Sequence, residues 1–401
     1  EITMNNLLER QITSLEGQYF QKNNLTGKGI RICVIDGGFK GARESPALKH
    51  LFDNKKVLKS WDFHHKTENV YRFNNHGTAV LSCIAGKYQN QIMGLAQSSE
   101  FLLAKTEDVS QEWQQEEDDY VAGLEWGEVN GADIASSSLG YADWYNETDF
   151  DGNTATTTIA VDIAVSLGLV CVTAVGNGLA IAPADADSVI SVGAVNNIGE
   201  IASFSSRGPT FDGRIKPEVC AMGVSVWHVS SNNTTDYVTA SGTSSSTPLT
   251  AGAIALIKQA RPDLSPMQLR EAILMTASIA DNPNNTYGYG IIDASEALNY
   301  WSTSSISDSQ VYPVSYNILK TYPNPFNPAI NIEITAVEEL IKDVSIISFT
   351  GQLVQNIFKG KIFNSTQTIS WEPNNLSSGI YLVRLTNDKN ESRYKKITYL
   401  K

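Results

Sequence analysis

The stretch Ser241-Gly242-Thr243-Ser244-Ser245-Ser246-Thr247-Pro248 runs without a break into a long apolar helical pattern, and it constrains this chain more than any other. Gly242 lets the backbone turn tightly, and the helix that follows, with Ala251, Ala253, Ile254, Leu256, Ile257 and Ala260, is too apolar for a surface position. Buried in that way, its first turn aims free N–H groups and the positive dipole end at Ser244, where an oxyanion would form during acyl transfer. A Ser/Thr-rich segment before a helix is ordinarily a cap. Ser244 reads as a nucleophile only if partners exist elsewhere in the chain.

Those partners are a histidine base and a carboxylate that orients it. Of five histidines (His50, His64, His65, His76 and His228), His76 stands out because it opens the small, apolar helical run His76-Gly77-Thr78-Ala79-Val80-Leu81-Ser82-Cys83-Ile84-Ala85-Gly86. The carboxylate candidate is Asp36, at the end of the apolar strand pattern Ile30-Arg31-Ile32-Cys33-Val34-Ile35-Asp36-Gly37-Gly38. In open α/β sheets, sites gather at the carboxyl ends of strands. Taken singly, Asp36 reads as a turn residue and His76 as a cap. The order Asp, His, Ser joins them.

That order and these motifs resemble the subtilisin-like (S8) serine proteases, whereas α/β-hydrolases run Ser, acid, His and chymotrypsin-like enzymes His, Asp, Ser. The resemblance covers roughly residues 25–298 and adds Ala174-Val175-Gly176-Asn177-Gly178, Ser137-Ser138-Leu139-Gly140, Phe204-Ser205-Ser206-Arg207-Gly208-Pro209 and Gly288-Tyr289-Gly290. It implies Asp36, His76 and Ser244 as a triad, Asn177 as an oxyanion donor beside the Ser244 N–H, and Ser138, Leu139 and Gly140 as a substrate-binding strand. Departures from the family pattern are Ala79, Gly37, Ser245-Ser246-Thr247 and Met222, none of which removes a triad group. They bear on rate, pH optimum and oxidation resistance.

With 401 residues, 42% hydrophobic and 18% charged, the chain is long enough for one large core and a smaller domain. A net charge of −13 argues against nucleic acid or an anionic membrane as the main partner. No apolar run of about 18 residues suits a transmembrane helix. Neither a signal peptide nor the prodomain usual for subtilisin-like zymogens is present, so Glu1 is expected near a processed N-terminus. The four cysteines, Cys33, Cys83, Cys171 and Cys220, lie in apolar patterns without metal-ligand spacing and read as buried small hydrophobes, a disulfide being the alternative.

Residues 1–29 read as a polar lead-in. Further on come a strand over Phe101–Lys105, an acidic loop, a helix over Tyr120–Asn130 and a strand over Ala132–Leu139. An acidic run is usually a solvated face. In the resemblance, however, the loop after this strand borders the substrate, which makes Glu107 and Asp108 candidate selectors of basic substrate residues. Asp149-Phe150-Asp151-Gly152-Asn153 alternates oxygen ligands around a glycine turn, so Asp149, Asp151 and Asn153 are candidate ligands for Ca²⁺ as a structural ion, with an ordinary turn as the alternative. The chemistry itself requires no cofactor. A helix over Thr158–Leu167 and strands over Val170–Ala174 and Val189–Val195 complete an alternation that predicts an α/β fold, a doubly wound, mostly parallel sheet.

Composition changes near Tyr300. Residues 1–301 form the expected peptidase domain, the Ser-rich residues 302–317 a linker, and residues 318–401 a small antiparallel β-sandwich. The Tyr322-Pro323-Asn324-Pro325-Phe326-Asn327-Pro328 opening, the Ser378-Gly379-Ile380-Tyr381-Leu382-Val383-Arg384-Leu385 strand and the basic end (Lys395, Lys396, Lys401) resemble a type A sorting domain of the type IX secretion system. The reading by composition alone is an adhesion or carbohydrate-binding module. The resemblance implies a secreted or surface-bound endopeptidase at the outer membrane of a Gram-negative-type bacterium, with extended polypeptides, the secretion machinery and a prodomain as partners. Two alternatives stay open, a surface protein that only binds polypeptides and an esterase.

Overall fold

The computed structural model describes residues 4–89, 91–108, 112–178, 181–230, 233–301, 316–324, 326–336, 341–348, 353–362, 365–374, 376–387 and 392–401. Most of the expected linker over 302–317 lies outside them. The chain divides into two compact units, Glu1–Ser305 and Ile306–Lys401.

The first unit is built on seven strands: β1 (Arg31–Asp36), β2 (Val57–Asp62), β3 (Glu100–Lys105), β4 (Ile134–Ser137), β5 (Val170–Ala174), β6 (Ile190–Val195) and β7 (Val219–Met222). Their order is β2-β3-β1-β4-β5-β6-β7, and every pairing is parallel. Successive side chains of a strand point to opposite faces, and both faces are covered except at the edge strand β2, so the inner strands are buried along their length. Ile32 and Val34 enter one core with the helices α1 (His76–Ala85) and α4 (Thr243–Ala260). Cys33 and Ile35 enter another with α2 (Gln115–Val129) and α3 (Thr156–Leu167). The strand order runs outward in both directions from β1, which places a topological switch between β1 and β4. Asp36 and Ser138 lie at that crevice.

Three local readings needed more than sequence periodicity. The polar lead-in contains two helices, Met4–Thr13 and Gly17–Lys22, because Leu8, Ile12, Leu15 and Phe20 bury one face and Gln11, fully buried, bonds both the N–H and the carbonyl of Trp227. Helix α2 begins at Gln115, inside the acidic stretch. Acids favour a helix N-terminus, and two of these, Glu116 and Glu117, are buried by hydrogen bonds to Asp108 N and to Trp144 and Tyr145. All four cysteines are buried and free, with burial pushing the Cys33, Cys83 and Cys220 thiols up to about 12.

A hairpin of β8 (Val226–Val229) and β9 (Tyr237–Ala240) precedes α4. The second unit is an antiparallel sandwich of β10 (Tyr316–Tyr322), β11 (Ile330–Ala336) and β14 (Ser365–Trp371) against β13 (Leu353–Ile362), β12 (Ile341–Ser348), β15 (Gly379–Asn387) and β16 (Ser392–Tyr399). Its core alternates along the strands, as Ile330, Ile332 and Ile334 do on β11. Among the described residues no helix is long and apolar enough to cross a membrane.

Candidate active site

Asp36 ends β1 and is fully buried. Its Oδ1 accepts the Gly37 N–H at 2.8 Å and stands 2.8 Å from Nδ1 of His76, with Oδ2 at 3.0 Å. A carboxylate only accepts, so Nδ1 carries the proton and Nε2 of the neutral ring is left with a free lone pair. His76 is the first residue of α1, and its N–H is capped by the Asn74 side chain at 2.6 Å. The approach requires Gly77, where a Cβ would stand 2.7 Å from the Gly38 carbonyl and 3.0 Å from Asp36 Cβ. The Asp36 charge raises the His76 imidazole above its ordinary 6.5, against the opposing effect of burial.

Ser244 is the second residue of α4 and half-buried. Pro248, four residues on, has no N–H to give the Ser244 carbonyl. That carbonyl accepts instead from Ser138 Oγ at 3.3 Å, tying the start of α4 to the exit of β4. Asn177 lies just past β5, and its Oδ1 accepts both the N–H (2.9 Å) and the hydroxyl (3.1 Å) of Thr243. With the amide oxygen committed, Nδ2 is the end that faces the serine. Nδ2 of Asn177, the Ser244 N and Ser244 Oγ all lie within 3.8 Å of the point where a Gly242 Cβ would stand. The glycine is therefore needed for room, its φ of 168° being ordinary extended backbone. Among the described residues no hydrogen bond joins His76 to Ser244. Such contacts are often long before substrate binds.

Ser138, Leu139 and Gly140 are half-buried, and among the described residues their backbone N–H and C=O groups enter no ladder. The next residue, Tyr141, is paired in both directions with Ala182 (2.8 and 3.0 Å). Glu107 turns inward: it is 7% exposed, and its Oε1 accepts the Tyr141 hydroxyl at 2.7 Å. Asp108 is partly exposed and stands 3.5 Å from His64 Nε2. The acidic run thus splits between interior and surface, which charge alone does not reveal.

Asp149, Asp151 and Asn153 lie in successive local turns. Asp149 caps its own turn by accepting the Asn146 N–H at 2.8 Å, and Asp151 accepts from Asn153 N (2.8 Å) and Thr154 Oγ1 (3.1 Å). The loop is anchored by the buried Asp185, which takes the Gly152 N–H at 3.0 Å. These oxygens accept from local donors. Among the described residues the one group of three His, Cys, Asp or Glu side chains whose ligand atoms converge is Glu107, Glu112 and Glu116.

Sequence reasoning singled out the triad candidates and Asn177, but missed Asn74, Thr243 and Pro248, which fix their orientation. Thr243 and Pro248 flank Ser244 in the same motif, and their roles depend on partners distant in sequence.

Comparison with known proteins gives the family of both units. Residues 320–399 match the secretion system C-terminal sorting domain. The chain is 31% identical over 310 residues to serine protease AprX of Bacillus subtilis, covering 68% of this chain and 67% of that protein. It is 31% identical over 295 residues to subtilisin E of the same organism (71% and 70%), and 30% identical over 290 residues to subtilisin BL of Lederbergia lenta (71% and 97%). The fold matches the crystal structure of MycP1 with the N-terminal propeptide removed, with a TM-score of 0.58 and 23% identity over 72% of this chain and 96% of that one. Residues 27–290 match the subtilase family, peptidase family S8, and the chain belongs to that family of serine peptidases.

Proposed function

We propose that this serine peptidase is an exported endopeptidase that cleaves extended polypeptides through an acyl-enzyme on Ser244. The observations that carry this reading are the buried Asp36, which holds Nδ1 of His76 in the tautomer that frees Nε2, and the corner formed by Ser244 and Asn177. Nε2 takes the Ser244 proton as Oγ attacks the scissile carbonyl, and the imidazolium formed is stabilised by Asp36. The Ser244 N–H and Asn177 Nδ2 donate to the tetrahedral oxyanion, and His76 then returns the proton to the leaving amine. Water repeats the sequence on the acyl-enzyme. The open backbone of Ser138–Gly140 pairs with substrate in the manner of an added strand, which selects extended or unfolded chains. A prodomain is the natural partner of this cleft before maturation.

The C-terminal sorting domain implies secretion or attachment at the cell surface. Export through a type IX system to the outer membrane of a Gram-negative-type bacterium is the route that fits it. Digestion of casein by the purified chain, with Ser244→Ala as control, tests the activity. Cleavage abolished by the substitution is expected, and casein left intact by folded wild-type protein would favour a role limited to binding polypeptide.

A further inference from the structure

The strand proposed to bind substrate is held at its far end by one side chain, Tyr141. Its backbone is fixed to Ala182, and its hydroxyl reaches across the crevice to Glu107, just beyond β3. Glu107 is itself fixed, because its carbonyl accepts the buried Lys105 ammonium at 2.7 Å, and Lys105 Nζ lies 3.2 Å from the buried Asp62. The Tyr141 hydroxyl also lies 3.4 Å from the Glu116 carbonyl. A carboxyl group with 7% exposure is a costly way to hold a tyrosine unless the contact it makes is needed.

We propose that Glu107 is a positioning residue: through its hydrogen bond to Tyr141 it holds Ser138–Gly140 in the extended register on which polypeptide substrates pair. This rests on the peptidase reading above and adds a residue outside the triad. Glu107 touches no reacting atom. Its effect falls on binding of long substrates and leaves bond cleavage untouched.

Burial pushes the Glu107 carboxyl up to about 8, with the charges of Glu116, Glu112 and Asp36 acting in the same direction and the Tyr141 hydrogen bond opposing them. The carboxylates of Glu112 and Glu116 come within 4.8 Å of it, and the other groups that face it are His76, Tyr120 and Lys105. The Tyr141 hydroxyl donates to Glu107 in either protonation state, and more strongly to the carboxylate, so the brace holds on both sides of that pH.

The test compares wild type, Glu107→Gln, Glu107→Ala and Tyr141→Phe in KM and kcat on a long peptide anilide and in the labelling rate by a small fluorophosphonate, from pH 6.5 to 9.5. Loss of one buried hydrogen bond predicts a KM rise of about tenfold in Glu107→Ala and Tyr141→Phe, with kcat and labelling rate within about twofold of wild type. Glu107→Gln, whose amide oxygen still accepts from Tyr141, should stay close to the wild-type KM. Unchanged KM in the Ala and Phe variants, or damage in Glu107→Gln equal to that in Glu107→Ala, overturns the proposal. Wild-type protein that fails to label overturns the peptidase reading, and this proposal falls with it.

Discussion

Replacing Asp36 by asparagine tests the tautomer argument with little change in shape. Oδ1 of Asp36 serves both the Gly37 N–H and His76 Nδ1 at 2.8 Å, while Oδ2 lies 3.0 Å from the same Nδ1. An asparagine that keeps the Gly37 bond must place its NH₂ where Oδ2 was. Two donors then meet at about 3 Å, and the imidazole relieves the conflict by moving its proton to Nε2. That is the nitrogen that must be bare to accept from Ser244. The variant also removes the charge that stabilises the imidazolium. In serine proteases with this triad the exchange costs about 10⁴ in turnover, or about 5 kcal/mol of transition-state stabilisation. The assay is kcat/KM on a peptide anilide as a function of pH, with circular dichroism to verify folding. Because the Asp36 charge raises the His76 pKa, the acid limb of the wild-type profile should lie above 6.5 and move down in the variant. Activity within tenfold of wild type in folded Asp36→Asn would refute the assignment of Asp36 as orienter.

Asn177→Ala should lower kcat by about 10²–10³ with KM nearly unchanged, a magnitude that itself comes from a subtilisin; equal loss in both parameters would point to a binding role instead. Gly77→Ala drives a Cβ to 2.7 Å from the Gly38 carbonyl and should cost about 1–3 kcal/mol, read as a lower urea midpoint. Glu218, buried between Lys216 (2.8 Å) and Arg270 (2.9 Å), leaves two cations unpaired when changed to glutamine, with an expected loss of about 3–5 kcal/mol in the same assay. Chelation decides the calcium reading: a melting temperature unchanged by EDTA is expected if local donors alone satisfy Asp149 and Asp151, and a drop would show a bound structural ion.

The parallel sheet and the triad candidates were legible because each is carried by local sequence. An apolar run ending in an acid, a small-residue helix opened by histidine and a glycine before a buried helix all describe their own surroundings. Glu107 was not legible in that way. Within an acidic run it reads as solvated, and only the Tyr141 hydroxyl, brought across the crevice from another strand, shows it to be interior. Gln11 was hidden for the same reason, being a polar residue buried by partners more than eighty positions away. The DxDGN loop is a different case: its spacing suits a cation, and its oxygens also accept from the N–H and hydroxyl groups of its own turn.

The central claim is that Ser244 is the nucleophile and His76 its base. Its most direct test is to label the folded chain with a fluorophosphonate and map the adduct by peptide mass spectrometry, in wild type and in His76→Ala. A single adduct on Ser244 that falls to background in His76→Ala is the predicted result. An adduct on Ser245 or Ser246, or labelling of Ser244 indifferent to His76, would contradict it.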